Sequence, residues 1–207
     1  MIGESTQILK RQLATICLLN FWSNLVFSFT VPYHPLHKSQ DYFFFIFAPA
    51  TCIVFALLIT RRKYRIHRRY IIGFSLGSFC VGNSMLSISE SNPNPSSHIA
   101  VLILSKLFIG IGWSGATYLT VTLVSWLYSG VFPALFAILQ LFGVFGYVSG
   151  TLIAAGGYSN KSIYLGFAVV SGVLAPILYN TSGDLSYRLT AERYTVLDYL
   201  KNRVSFN

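Results

Sequence analysis

One lysine lies inside an otherwise apolar stretch of the chain, SKLFIGIGWSGATYL, which runs from Ser105 to Leu119. Lys106 is about seven residues into a predicted membrane span, roughly 10 Å deep at about 1.5 Å per residue. A charge at that depth is costly, so the ammonium must snorkel to the interface, pair with an acid or face a watery cavity. No acid lies within any predicted span. Two interpretations remain, a snorkelling side chain and an inward-facing functional cation.

Uncharged polar side chains also occur within the apolar stretches, namely Asn20, Ser23, Asn24, Asn83 and Gln140. Amides and hydroxyls at such positions could bind a substrate, although they more often form hydrogen bonds across helices. We therefore take as candidate substrate- or partner-binding residues Lys106, Asn20, Asn24 and Gln140.

The residue types that carry enzyme and metal chemistry are poorly placed for it. Only His34 and His37, with Asp41, approach a metal-ligand spacing, and the nearby prolines favour a solvated turn there. The three cysteines fall in apolar stretches with no short metal-type spacing. No nucleophile elbow or phosphate-binding loop is present in the sequence. The sequence therefore predicts a protein that is not an enzyme and has no metal and no cofactor.

The composition points to a membrane. Of the 207 residues, 54% are hydrophobic and 10% are charged, whereas an ordinary soluble domain carries about 25% charged residues. The net charge is +9, but the basic residues lie between apolar stretches instead of forming one soluble basic face. We expect membrane lipids, especially anionic ones, as partners and no nucleic acid.

Six stretches reach the roughly 20 apolar residues that a bilayer core requires. They are Leu13–Val31, Tyr42–Thr60, Tyr70–Ile88, Ile99–Val124, Val131–Gly156 and Ser162–Tyr179. Turn or charge signals separate them, and the weakest is the uncharged SWLYSG between the fourth and fifth spans. The sequence predicts an all-α membrane protein with six transmembrane helices.

Basic residues are distributed unequally between the two predicted sides of the membrane, twelve on one side and two on the other. Such an excess marks the cytoplasmic side or its organellar equivalent, so both termini are expected there. The loop between the second and third spans is the richest in charge. It is predicted to direct topology or to bind anionic lipid through Arg61, Arg62, Lys63, Arg65, Arg68 and Arg69.

Glycines recur within three of the spans at spacings that let helix backbones approach closely. The predicted helix-packing glycines are Gly73, Gly77, Gly110, Gly112, Gly115, Gly143, Gly146 and Gly150.

The fourth span carries the pattern Lys106-x-x-x-Gly110-x-Gly112, followed by Gly115 and Ala116. This resembles the fourth-helix motif of the major facilitator superfamily. A six-span unit with a basic loop between spans two and three is also similar to the N-terminal half of that superfamily. The resemblance implies two three-helix inverted repeats. The segments GIGWSGATYL and FPALFAILQLFG additionally resemble its ion-channel regulatory branch.

The chain differs from that superfamily in two places. The loop ALLITRRKYRIHRR lacks the glycine and aspartate that usually precede its basic residues, and lysine replaces the usual arginine at Lys106. With no acid inside a span for proton coupling, these differences favour an accessory, scaffolding or regulatory subunit of a larger membrane complex. The alternative is a half-size transporter that pairs with a second half-bundle to move a small solute, for example an anionic one.

Two regions are expected, a six-span bundle over residues 1–183 and a cytoplasmic-side tail over residues 184–207. In the tail, Tyr194, Leu197, Leu200 and Val204 recur at three- and four-residue intervals. That pattern predicts an amphipathic helix, which would lie on the membrane surface or on a partner. A frayed chain end is the alternative.

Overall fold

The computed structural model describes residues 2–30, 53, 68–91, 95–127, 132–156 and 159–181. Its elements are α1 (Ile2–Thr30), α2 (Arg68–Ser89), α3 (Pro95–Leu127), α4 (Phe132–Ala155) and α5 (Asn160–Thr181). All five are helices, and no strand occurs in these ranges. They correspond to the first, third, fourth, fifth and sixth predicted spans.

Each of the five helices contains a segment long and apolar enough to cross a membrane. These segments are Leu13–Thr30, Arg69–Ser89, Ala100–Thr120, Phe136–Ala155 and Asn160–Thr181. The architecture is therefore that of an all-helical protein whose long apolar helices are compatible with several passes through a membrane. The second predicted span, the cations Arg61 to Arg65 and the tail 184–207 lie outside the described residues, apart from the helical Ile53.

Several helices are longer than the apolar stretches that identified them. The first begins at Ile2, well before the predicted start at Leu13. α3 begins at Pro95. Proline is tolerated in the first turn of a helix because the N–H that it lacks would have no helical partner there. α3 continues to Leu127, so Trp126, in the segment SWLYSG that separates the fourth and fifth predicted spans, is helical. SWLYSG carries no charge or proline, and nothing in its first three residues ends a helix.

The helices pack in adjacent pairs. α1 lies mainly against α4 and also contacts α3, while α2 lies between α3 and α5. A smaller contact joins α1 to α5, where the Trp22 indole donates to Ser171 Oγ at 2.9 Å. The rings of Phe29 and Tyr164 also meet edge to face there, with centroids 5.4 Å apart. α1, α3, α2 and α5 thus surround a common interior, and α4 covers the outside of α1.

Burial is uneven among the helices. The apolar segments of α1 and α2 are mostly buried, whereas those of α4 and α5 are mostly exposed. Large apolar side chains such as Phe145 and Val148 on α4 and Val169 and Val173 on α5 point outward. This surface is available to lipid or to another membrane protein.

Candidate functional site

Two asparagines of the candidate site join three helices. The Asn20 side-chain nitrogen donates to the Leu139 carbonyl oxygen of α4 at 2.6 Å. Asn24 Nδ2 donates to the Asn20 carbonyl at 2.8 Å and to Asn20 Oδ1 at 3.1 Å. From α3, the Trp113 indole donates to Asn24 Oδ1 at 3.4 Å, and its ring stacks on Phe27 with centroids 4.5 Å apart. Asn20 and Asn24 therefore form hydrogen bonds between helices.

Gln140 is not part of this network. It follows Leu139 on α4, and its side chain is exposed, whereas Asn20 is buried. The structure therefore brings Asn20 and Asn24 together, and it leaves Gln140 at the outer surface of the bundle.

Three glycines of α4 form the contact with α1. A methyl group on Gly143 would lie 3.1 Å from Asn20 Nδ2. A methyl group on Gly146 would meet the Phe21 carbonyl oxygen, and one on Gly150 would meet Ser28 Oγ and the Leu25 carbonyl oxygen. Because two of these contacts are with backbone, which cannot turn aside, a side chain at Gly146 or Gly150 would push the helices apart.

Glycines of α3 form the contact with α2 in the same way. A methyl group on Gly112 would lie 2.8 Å from the Ser75 carbonyl oxygen, and one on Gly115 would meet Ser75 Oγ. Gly110 is buried in the same helix. On the α2 side the predicted glycines contribute less. A methyl group on Gly73 would have ordinary contact with Tyr179 at 3.6 Å, and one on Gly77 would meet no described atom within 4 Å.

The residues of α2 that approach α3 closely include Ser75 and Gly82. A methyl group on Gly82 would lie 2.9 Å from the Ser105 carbonyl oxygen and 2.8 Å from Ile109 Cγ1. The glycine spacing in the sequence predicts the Gly73–Gly77 pair instead. The available signal was the series Ser75, Ser78 and Gly82, in which small residues recur every three or four positions along one helix face.

Lys106 is buried, with 2% of its surface exposed. Its Nζ has no hydrogen-bond partner among the residues that the structure describes. The side chain therefore does not extend along the outer surface of the described helices, which is where a snorkelling lysine would lie. It occupies the side of α3 that also carries Trp113, two helical turns before that residue.

The cations of the basic loop are described only where α2 begins. Arg68 and Arg69 form its first turn. In the described parts of the chain, no three histidine, cysteine or acidic side chains lie together in a way that could hold a metal ion.

Comparison of the chain with protein-family models, curated proteins and solved structures found no match.

Proposed function

We propose that this chain is a non-enzymatic, multi-pass membrane protein that acts as an accessory, scaffolding or regulatory subunit of a larger membrane complex. The observation that carries the proposal is the use of Asn20 and Asn24. Two of the side chains best suited to bind a polar substrate instead join α1 to α3 and α4. A bundle that uses its polar groups for internal packing is suited to present a rigid surface.

The surface that would contact a partner is the outward face of α4 and α5. Its exposed apolar side chains include Phe145 on α4 and Val169 on α5. Lipid can cover such a face, and so can a neighbouring subunit that brings small or complementary apolar residues to it. We propose that a partner subunit covers part of it.

We also propose that the complete bundle has six spans, with both ends on the cytoplasmic side, and an inverted repeat that relates spans one to three with spans four to six. Such a repeat exchanges the first span with the fourth and the third with the sixth. The contacts of α1 with α3 and of α2 with α5 join spans that the repeat would exchange and are compatible with it, while the proposal itself rests on the resemblance of the sequence. The charge asymmetry of the sequence supports the orientation.

Photo-crosslinking in intact membranes tests the subunit proposal. A photoreactive phenylalanine analogue replaces Phe145 on α4 or Val169 on α5, and Phe74 on α2 serves as an exposed control. We expect a discrete adduct with a different polypeptide from one of the first two positions and lipid adducts from Phe74. Lipid adducts alone from all three positions would contradict the proposal.

A half-size transporter that pairs with a second half-bundle is the second candidate, and one observation favours it. Lys106 is buried with no described hydrogen-bond partner, as expected for a cation that meets an anionic solute during transport. The same crosslinking experiment separates the two candidates. Adducts only between copies of this chain would favour the half-size transporter.

A further inference from the structure

α2 and α3 cross at a point where their backbones nearly touch. Gly82 approaches the Ser105 carbonyl oxygen and the side chain of Ile109 so closely that a methyl group there would have no room. The residues that follow Gly82 and Ser105 in sequence are Asn83 and Lys106. The Cα atoms of Asn83 and Lys106 therefore lie at about the same depth along the bundle.

Both side chains also point towards the common interior of the bundle. On α2, Asn83 lies between the face with Ser75 and Gly82, which contacts α3, and the face with Gly73 and Cys80, which contacts α5. Asn83 is completely buried. Lys106, at 2% exposure, lies on the Trp113 side of α3, which turns towards α1.

Each of the two side chains has one polar atom that no described residue meets in a hydrogen bond. The Asn83 nitrogen donates to the Phe79 carbonyl oxygen at 2.8 Å, which fixes the orientation of the amide. Its Oδ1 has no hydrogen-bond partner among the described residues, and the same is true of Lys106 Nζ. A buried group left in this state costs free energy, and a buried charge costs more than a neutral group.

The two unsatisfied groups have complementary requirements. The two atoms do not bond to each other, so a third group is required between them: the ammonium of Lys106 needs an acceptor and preferably a negative charge, whereas Asn83 Oδ1 needs a donor. One small ligand meets both requirements if it carries an anionic oxygen together with a hydroxyl group. We propose that Lys106 and Asn83 form an interior binding site for a small hydroxyl-bearing oxyanion, such as a short 2-hydroxy carboxylate or hydrogencarbonate.

The surroundings favour this class of ligand over others. The fully buried Phe79 lies one helical turn before Asn83 on α2, and a low dielectric strengthens the attraction between the ammonium and an anion. A metal cation would be repelled by Lys106. The site lies inside a single bundle and does not depend on a partner subunit, so it can be tested independently of the proposed function.

Thermal unfolding of the purified full-length chain tests the site. The midpoint of thermal unfolding is measured in nanodiscs of zwitterionic lipid. Glycolate or acetate replaces a bulky sulfonate in the buffer, and the ionic strength is held constant. These two carboxylates differ chiefly by a hydroxyl group, which would donate a hydrogen bond to Asn83 Oδ1. At tenfold its dissociation constant, glycolate should raise the midpoint by about 3 to 6 °C. It should bind about three- to tenfold more tightly than acetate.

Three variants assign the response to the two residues. Lys106→Met should abolish the response to both anions and raise the midpoint in their absence, because an unpaired buried charge is removed. Asn83→Leu should keep the acetate response and lose the preference for glycolate. Asn83→Asp should supply a carboxylate to Lys106, raise the midpoint and abolish both responses. Lys161→Met, at an exposed lysine of α5, is the matched control and should respond as the unaltered protein does.

Three results would overturn the proposal. The first is that the unaltered protein shows no saturable response, and the second is that Lys106→Met responds as strongly as the unaltered protein. The third is that Lys106→Met without anion has a lower midpoint than the unaltered protein. The last result would mean that a group of the same chain already stabilises Lys106. The lipid source of the ligand is tested by repeating the titration in discs with phosphatidylglycerol. If these discs raise the midpoint through Lys106 and remove the glycolate response, the oxyanion at the site is a lipid headgroup.

Discussion

The Asn20 side-chain nitrogen donates to the carbonyl oxygen of Leu139 at 2.6 Å and so ties α1 to α4 deep within the apolar region. In lipid, hydrocarbon burial gives little force between helices, so such hydrogen bonds and close backbone contacts must hold a bundle together. The same helix pair also has close contacts at Gly146 and Gly150. The α1–α4 interface therefore combines both means of association.

Replacement of Asn20 by leucine should weaken this interface by a modest amount. Leu139 keeps its helical hydrogen bond because a carbonyl oxygen accepts two, so its oxygen is not left unsatisfied. We expect a loss of about 0.6 kcal/mol in the free energy of unfolding, and of no more than about 1.7 kcal/mol, which are the average and the maximum for polar contacts between membrane helices. Denaturation in mixed micelles measures it. The exposed Gln140 provides the control, and a Gln140→Leu variant as destabilised as Asn20→Leu would contradict this assignment.

Gly150→Ala and Gly166→Ala form a matched pair, because both make the same change in a helix. The gain in helix propensity, about 0.5 to 1 kcal/mol for alanine in a soluble helix, is common to both and cancels in their comparison. At Gly150 the new methyl group would meet Ser28 Oγ and the Leu25 carbonyl oxygen, whereas at Gly166 it would meet no described atom within 4 Å.

We expect Gly150→Ala to be less stable than Gly166→Ala by about 1 to 3 kcal/mol, which is typical of overpacking. The difference in thermal unfolding midpoint between the two variants measures this cost. Equal midpoints would show that α1 and α4 do not approach each other closely at Gly150.

The sequence predicts where the helices are more reliably than how they pack. Apolar length alone located five spans, since the need to satisfy backbone hydrogen bonds in lipid leaves a long apolar segment few alternatives to a helix. Helix ends were less predictable. The beginning of α1 at Ile2 and the end of α3 at Leu127 lie in stretches whose polarity does not distinguish a helix outside the membrane from a loop.

Packing depends on which helices are neighbours, and a single sequence does not specify this. Gly146 is four residues from Gly150, whereas Gly82 is five residues from Gly77 and outside that spacing, and only the structure shows that Gly82 lies against Ser105. The juxtaposition of Asn83 and Lys106 follows from that crossing. Sequence analysis named both residues as polar groups inside spans, yet it had no basis for placing them at the same level.

Labelling of the chain ends tests whether the second predicted span crosses the membrane. Single cysteines are introduced at Gly3, at Ser205 and at the exposed Ser91 after α2 in a cysteine-free background, and are treated with an impermeant maleimide. With six spans, Gly3 and Ser205 should react from the same side and Ser91 from the other. If Tyr42–Thr60 does not cross, Ser91 will react from the same side as Gly3.

Uptake by Lys106→Met separates the two proposed functions. Methionine keeps much of the length of the side chain and removes its charge, so packing within α3 should change little. An accessory subunit needs no anion to move, and we therefore expect reconstituted vesicles with the unaltered chain to take up radiolabelled glycolate no faster than empty vesicles. Uptake well above this background that Lys106→Met abolishes, while Lys161→Met retains it, would establish the half-size transporter instead. If glycolate binds at Lys106 but is not taken up, the anion site belongs to a subunit that senses the ligand or is stabilised by it. Binding alone then lowers the free energy of the folded bundle.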